Sequence, residues 1–107
     1  MTPGQGGLFR LVHSEALRHR VRRMIDHARE HDITQELGSE LRAIQDRLAT
    51  DPETWGEEEA EYRYLGMRGR HAVTGMFHVR FAVHPTDRLV FVQDYIPLVA
   101  YAFLDEP

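Results

Sequence analysis

The sequence predicts an α+β domain: a strand, a helical hairpin, then three or more strands in a mostly antiparallel sheet with the helices on one face. Three observations carry this. Residues 14–49 show two apolar stripes at helical spacing, the run His71–His84 alternates at period two, and Leu89–Val92 is an unbroken apolar run. Helical and strand patterns fall in separate blocks, which implies segregated layers rather than alternating βαβ units.

Met1–Gly7, with three glycines and a proline, is expected to be a flexible tail. Leu8–His13 alternates as a short strand, and Ser14 caps the helix after it. Leu17, Val21, Met24, Ile25 and Ala28 form the first stripe, and Leu37, Leu41, Ile44 and Leu48 the second. Asp32 with Gln35 three residues on reads as a capping box opening the second helix, and the short connection implies an antiparallel hairpin. Ala49-Thr50-Asp51-Pro52 ends that helix, since Pro disfavours helical backbone in the residue before it. Glu53–Ala60 reads as an acidic loop, with Trp55 plugging one end of the core.

Glu61–Met67 alternates Tyr62, Tyr64 and Leu65 as a strand closed by Gly66 or Gly69. The run from His71 then reads as one long strand. It places Val73, Phe77, Val79, Phe81 and Val83 inward and Thr74, Met76, His78, Arg80, Ala82 and His84 outward. Pro85–Arg88 supplies a turn, and Leu89–Val92 an interior strand covered on both sides. Asp94–Pro97 breaks that strand. An apolar extension from 97 to 107 follows, which packs across the sheet or joins a second copy as a homodimer.

A chain of 107 residues is read as one domain with its core at 8–96. It contains no cysteine, which excludes disulfides and zinc–thiolate sites. No apolar run reaches bilayer length and no export signal opens the chain, so a cytoplasmic protein with no membrane partner is expected. The net charge of −4 argues against a constitutive nucleic-acid binder. The acidic excess is local, however, in Asp51, Glu53, Glu57, Glu58, Glu59 and Glu61, and every one of the 13 cationic residues is Arg. Arginine favours bidentate contact with phosphate.

Several local patterns follow the same order as the elements. The hairpin ends in Leu41-x-x-Ile44-x-x-x-Leu48-x-x-Asp51-Pro52, followed by Gly56. Gly75-Met-Phe77-His78-Val79-Arg80-Phe81-Ala-Val83 then precedes Leu89-Val-Phe-Val92. Together they resemble the RelE/ParE superfamily of toxins from bacterial toxin-antitoxin pairs, whose strand motif is Gly-x-Tyr-Arg-Val-x-Tyr-x-Val. The resemblance covers about residues 8 to 101. It implies a cofactor-free protein neutralised by a helix-rich antitoxin peptide. It also implies messenger RNA cleavage on the ribosome, as in RelE-like members, or poisoning of DNA gyrase, as in ParE-like ones. His78 stands where the nucleases place a phosphate-holding Arg, and Arg80 lies two residues on. Tyr101 matches the family's C-terminal Tyr, without the arginines before it or the family's lysines.

Cleavage of RNA by its own 2′-hydroxyl needs a base, a cation for the phosphorane charge and an acid for the leaving oxygen. His78 as base and Arg80 as clamp share one strand face with His84, and the resemblance adds Tyr101 to these catalytic candidates. Arg70 and His71 open the same run as phosphate-binding candidates, and Arg18, His19, Arg20, Arg22 and Arg23 form the densest basic patch, from which Arg18, Arg22 and Arg23 are candidates to meet phosphate or an acidic partner. His27 and His31 have metal-ligand spacing but no third ligand beside them. They are read as part of a solvated helix face, and no metal site is expected. The alternative to a toxin is a catalytically inactive interaction module of the same fold.

Overall fold

A computed structural model describes residues 8–62 and 65–107, with the side chains of 60–62 outside the description. The expected tail 1–7 and the expected strand position Tyr64 therefore lie outside the described residues, as does the side chain of Tyr62. The order is β1 (Arg10–His13), α1 (Glu15–Glu30), α2 (Thr34–Thr50), β2 (Glu57–Tyr62), β3 (Met67–Val73), β4 (Phe77–His84) and β5 (Leu89–Pro97). Two short 3₁₀ turns, spanning Val99–Asp105 with a kink at Tyr101, follow β5. The fold class is α+β, with the helices on one face of a five-stranded sheet ordered β1-β5-β4-β3-β2. Every neighbouring pair is antiparallel except β1 with β5, which run parallel. The helical hairpin and three further strands intervene between those two, the long connection that a parallel pair requires.

Both helical stripes face the core. Leu17, Met24 and Ala28 on α1 and Leu37, Leu41, Ile44 and Leu48 on α2 are buried, while Val21 and Ile25 pack at the margin. Ser14 caps α1 as its sequence implies, with its Oγ accepting from the Leu17 amide at 3.0 Å. Asp32 has a different role from the one its spacing suggests. It adopts φ 58 and ends α1, with its own amide donating to the Arg29 carbonyl and the Ile33 amide donating to that of Ala28. This is the Schellman pattern, and the helix N-cap that follows is Ile33, which makes no side-chain cap.

The run from His71 is two strands, not one. Thr74 turns the chain: its amide donates to the Phe77 carbonyl at 2.7 Å and its Oγ accepts from the Phe77 amide at 3.0 Å. Glu40 on α2 fixes the same turn, accepting from the Thr74 hydroxyl at 2.6 Å and the Met76 amide at 2.7 Å. Val73, expected in the core, is 65% exposed, whereas Met76, expected outside, is buried. Phe77, Val79, Phe81 and Val83 on β4 face the helices as expected and are at most 2% exposed. Ala82 points away from the helices yet is also buried, between its partners Gly69 on β3 and Phe91 on β5.

β5 continues past the expected break at Asp94. Arg80 pairs with Asp94 while the next residue, Phe81, pairs with Val92, so Gln93 bulges out. The extra residue resets the alternation, and Val90, Val92 and Tyr95 are all buried. Leu89 and Phe91, on the other side of β5, are only half-buried. The acidic stretch is likewise a strand, β2, with its own bulge at Glu59. The apolar extension folds back on its own chain, where Leu104 is fully buried. Among the described residues, no helix is long and apolar enough to cross a membrane.

Candidate functional site

The hairpin turn at Thr74 brings together residues that a single long strand would hold apart. His71 on β3 lies opposite Arg80 on β4, and His78 lies two residues further towards the turn. The His71 Nδ1 and His78 Nε2 atoms are 3.0 Å apart, so one ring donates its proton to the other. Their rings meet edge to face, with centroids 5.0 Å apart. Glu57, opposite His71 on β2, places a carboxylate oxygen 4.0 Å from His71 Nε2. Glu59, thrown outward by the bulge, pairs with Arg80 at 3.1 Å. The outcome is a row running carboxylate, imidazole, imidazole, with a guanidinium beside it, on the face of the sheet turned away from the helices. An open cleft of about 260 Å³ adjoins His71, lined by Gly56, Glu57, Ala72 and Val73.

The other expected site residues lie elsewhere. Arg70 precedes His71 and so points to the opposite face, where its guanidinium donates to the Trp55 carbonyl at 3.0 Å and the Gly56 carbonyl at 2.9 Å. His84 is six residues along β4 from His78, about 20 Å away at strand rise. It holds the following turn, accepting from the Asp87 amide at 3.2 Å. Tyr101 sits at the kink between the two C-terminal 3₁₀ turns and packs beside Phe103, with ring centroids 6.4 Å apart. The structure thus gathers His71, His78 and Arg80, and leaves Arg70, His84 and Tyr101 in separate surroundings.

The basic face of α1 divides by contact. Arg20 lies past the end of β1, where it pairs with Asp94 on β5 and with Asp105 at 2.8 Å. Hydrogen bonding to Asp105, opposed by its burial, raises the Arg20 pKa, and the same guanidinium holds the Asp105 carboxyl below its usual range. His27, read as a solvated residue, contacts the Leu104 carbonyl through Nδ1 at 3.1 Å, and the His31 ring lies 4.1 Å from that of Phe103. These side chains secure the C-terminal segment. Arg18 and Arg22 instead border a cleft between the helices, and Arg23 is exposed near Asp105.

That cleft holds a pair which no local sequence pattern signals. His13 Nε2 and the Tyr95 hydroxyl are 2.8 Å apart across 82 residues of chain. Burial, and secondly the charge of Arg18, lower the His13 pKa, and burial pushes that of Tyr95 up to about 12. The raised value at Tyr95 has a consequence for stability. A folded state that favours the neutral phenol keeps its full advantage below the ordinary value of 10 and loses it as pH rises to about 12. That difference corresponds to about 3 kcal/mol. Urea unfolding midpoints are therefore expected to fall over that window in the natural chain, and to stay flatter in Tyr95→Phe; equal slopes in the two proteins would disprove the assignment.

Among the described residues, no group of three or more His, Asp or Glu side chains could hold a metal ion. Comparison of the chain with protein-family models, curated proteins and solved structures finds no match in any of the three.

Proposed function

We propose that this chain is a RelE/ParE-like toxin of a toxin-antitoxin pair, acting as a ribosome-dependent endoribonuclease. The reading is carried by the 3.0 Å contact between His71 on β3 and His78 on β4, beside Arg80 on the same β4, the strand whose sequence resembles the family motif. His78 takes the proton of a 2′-hydroxyl, whose oxygen attacks the adjacent phosphorus. The 5′-oxygen leaves with a proton from an imidazolium, giving a cyclic phosphate and a 5′-hydroxyl end. His71 relays the proton and Glu57 steadies the charge that results, while Arg80 neutralises the phosphorane. A helix-rich antitoxin peptide is the expected partner.

One observation favours the alternative, an inactive interaction module: Glu59 already neutralises Arg80. Induced expression without the neighbouring reading frame decides between them, with growth arrest expected for the toxin and a harmless product for the module. In a ribosome-programmed cleavage assay, His78→Ala and Arg80→Ala should each cut activity by at least about tenfold. Unchanged cleavage in both would remove their assigned roles.

A further inference from the structure

The cleft between α1 and α2 has a composition suited to a ligand. It measures about 280 Å³ and is lined by His13, Arg18, Val21, Arg22, Leu41, Gln45 and Tyr95, contributed by β1, both helices and β5. Val21, Leu41 and the Tyr95 ring give it an apolar wall, and two guanidinium groups and an amide give it a polar rim. No carboxylate lines it. Arg18 makes one hydrogen bond, from Nη1 to the His13 carbonyl at 3.1 Å, and its other N–H groups make none among the described residues. Arg22 and Gln45 make no side-chain hydrogen bond or ion pair among the described residues. The cleft therefore combines an apolar wall with two guanidinium groups and an amide and no carboxylate, the arrangement of a small-molecule site that selects both a body and a head group.

We infer that this cleft binds a small organic anion, a single-ring apolar body carrying one carboxylate or phosphate head. The ring lies against Val21, Leu41 and Tyr95, and the head is held by Arg18 and Arg22, with Gln45 donating from α2. Arginine suits this role because its planar fork meets two oxygens of one head group at once. His13 contacts Tyr95 of β5 and Arg18 of α1, and the other polar groups lining the cleft with it are Arg22 from α1 and Gln45 from α2, none of them acidic. An anion in the cleft offsets the repulsion that Arg18 exerts on a protonated His13.

The test is an NMR titration of the full-length protein with four probes: phenyl phosphate, 3-phenylpropionate, inorganic phosphate and benzyl alcohol. Saturable shifts centred on His13, Leu41 and Gln45 are expected with the first two, at affinities at least about tenfold tighter than for the head alone or the body alone. Arg22→Gln alters an exposed position of α1 and leaves the core untouched. It should weaken phenyl phosphate binding by about tenfold with the remaining spectrum unchanged. The titration midpoint of His13, followed by its ring resonances, should rise on saturation with phenyl phosphate. Equal affinity for inorganic phosphate would reduce the site to a surface anion patch, and equal affinity for benzyl alcohol would reduce it to an apolar groove. Either result, or an unmoved His13 midpoint, overturns the inference.

Discussion

Gly56→Ala is expected to remove about 4 kcal/mol or more of folding stability, a large share of what a domain of this size has. Gly56 adopts φ 75, a region that costs an L side chain about 1–2 kcal/mol. Steric overlap costs more. A Cβ at this position would stand 2.0 Å from the His71 carbonyl oxygen, 2.8 Å from its carbon and 2.9 Å from the Ala72 Cβ. Two of these neighbours are backbone atoms of β3, which cannot rotate aside, so β3 must separate from the entry to β2. The Arg70 guanidinium, which ties β3 to the Gly56 and Trp55 carbonyls, would be pulled away at the same time. Chemical denaturation measures the loss. A cost below about 1 kcal/mol would mean that β2 does not enter the sheet at this register.

The same contact couples fold to site. His71 is the residue whose carbonyl meets Gly56, and its ring makes the contact with His78. A partly folded Gly56→Ala protein is therefore expected to lose the His71–His78 arrangement before it loses the helical hairpin, because Leu37, Leu41, Ile44 and Leu48 lie on a separate element.

What the sequence could and could not reveal follows from the range of each interaction. The helical stripes are legible because each is a repeat within one element, and Leu17, Met24, Leu41 and Leu48 are buried where their spacing puts them. The hairpin between β3 and β4 is hidden by parity. The turn Thr74–Met76 preserves the alternation from Val73 to Phe77, and a Thr hydroxyl with a carboxylate from α2 supplies what a Gly-Pro or Asn-Gly signal would have advertised. The bulge at Gln93 disguises Tyr95 in the opposite way, by breaking an alternation that the strand itself continues. For the candidate site, His78 and Arg80 can be placed on one face from their spacing alone, but the choice of His71 over Arg70 requires the hairpin register. The contacts of His13 with Tyr95 and of Arg20 with Asp105 join residues more than 80 positions apart, and no local pattern encodes them.

The reassignment of His71–His84 as two strands makes opposite claims about two apolar residues that one continuous strand would treat alike. Phe81 has no exposed surface and its ring stacks on Trp55, with centroids 5.7 Å apart and planes 23° apart. Phe81→Ala should cost about 3–5 kcal/mol, from the lost burial of the ring and from the cavity left in the core beside Trp55. Because Trp55 is the sole tryptophan, its emission should shift to the red as water reaches the face that Phe81 covered. Phe81→Leu keeps most of the volume and should cost under about half as much. Val73→Ala, by contrast, removes a side chain that stands 65% exposed beyond the last helix-facing position of β3, and should change stability by about 0.5 kcal/mol or less. If Val73→Ala proved as costly as a core deletion, β3 and β4 would have to be one strand, and the pairing of His71 with His78 would disappear with the turn that creates it; if Phe81→Ala left both stability and Trp55 emission unchanged, the helix-facing register of β4 itself would be wrong.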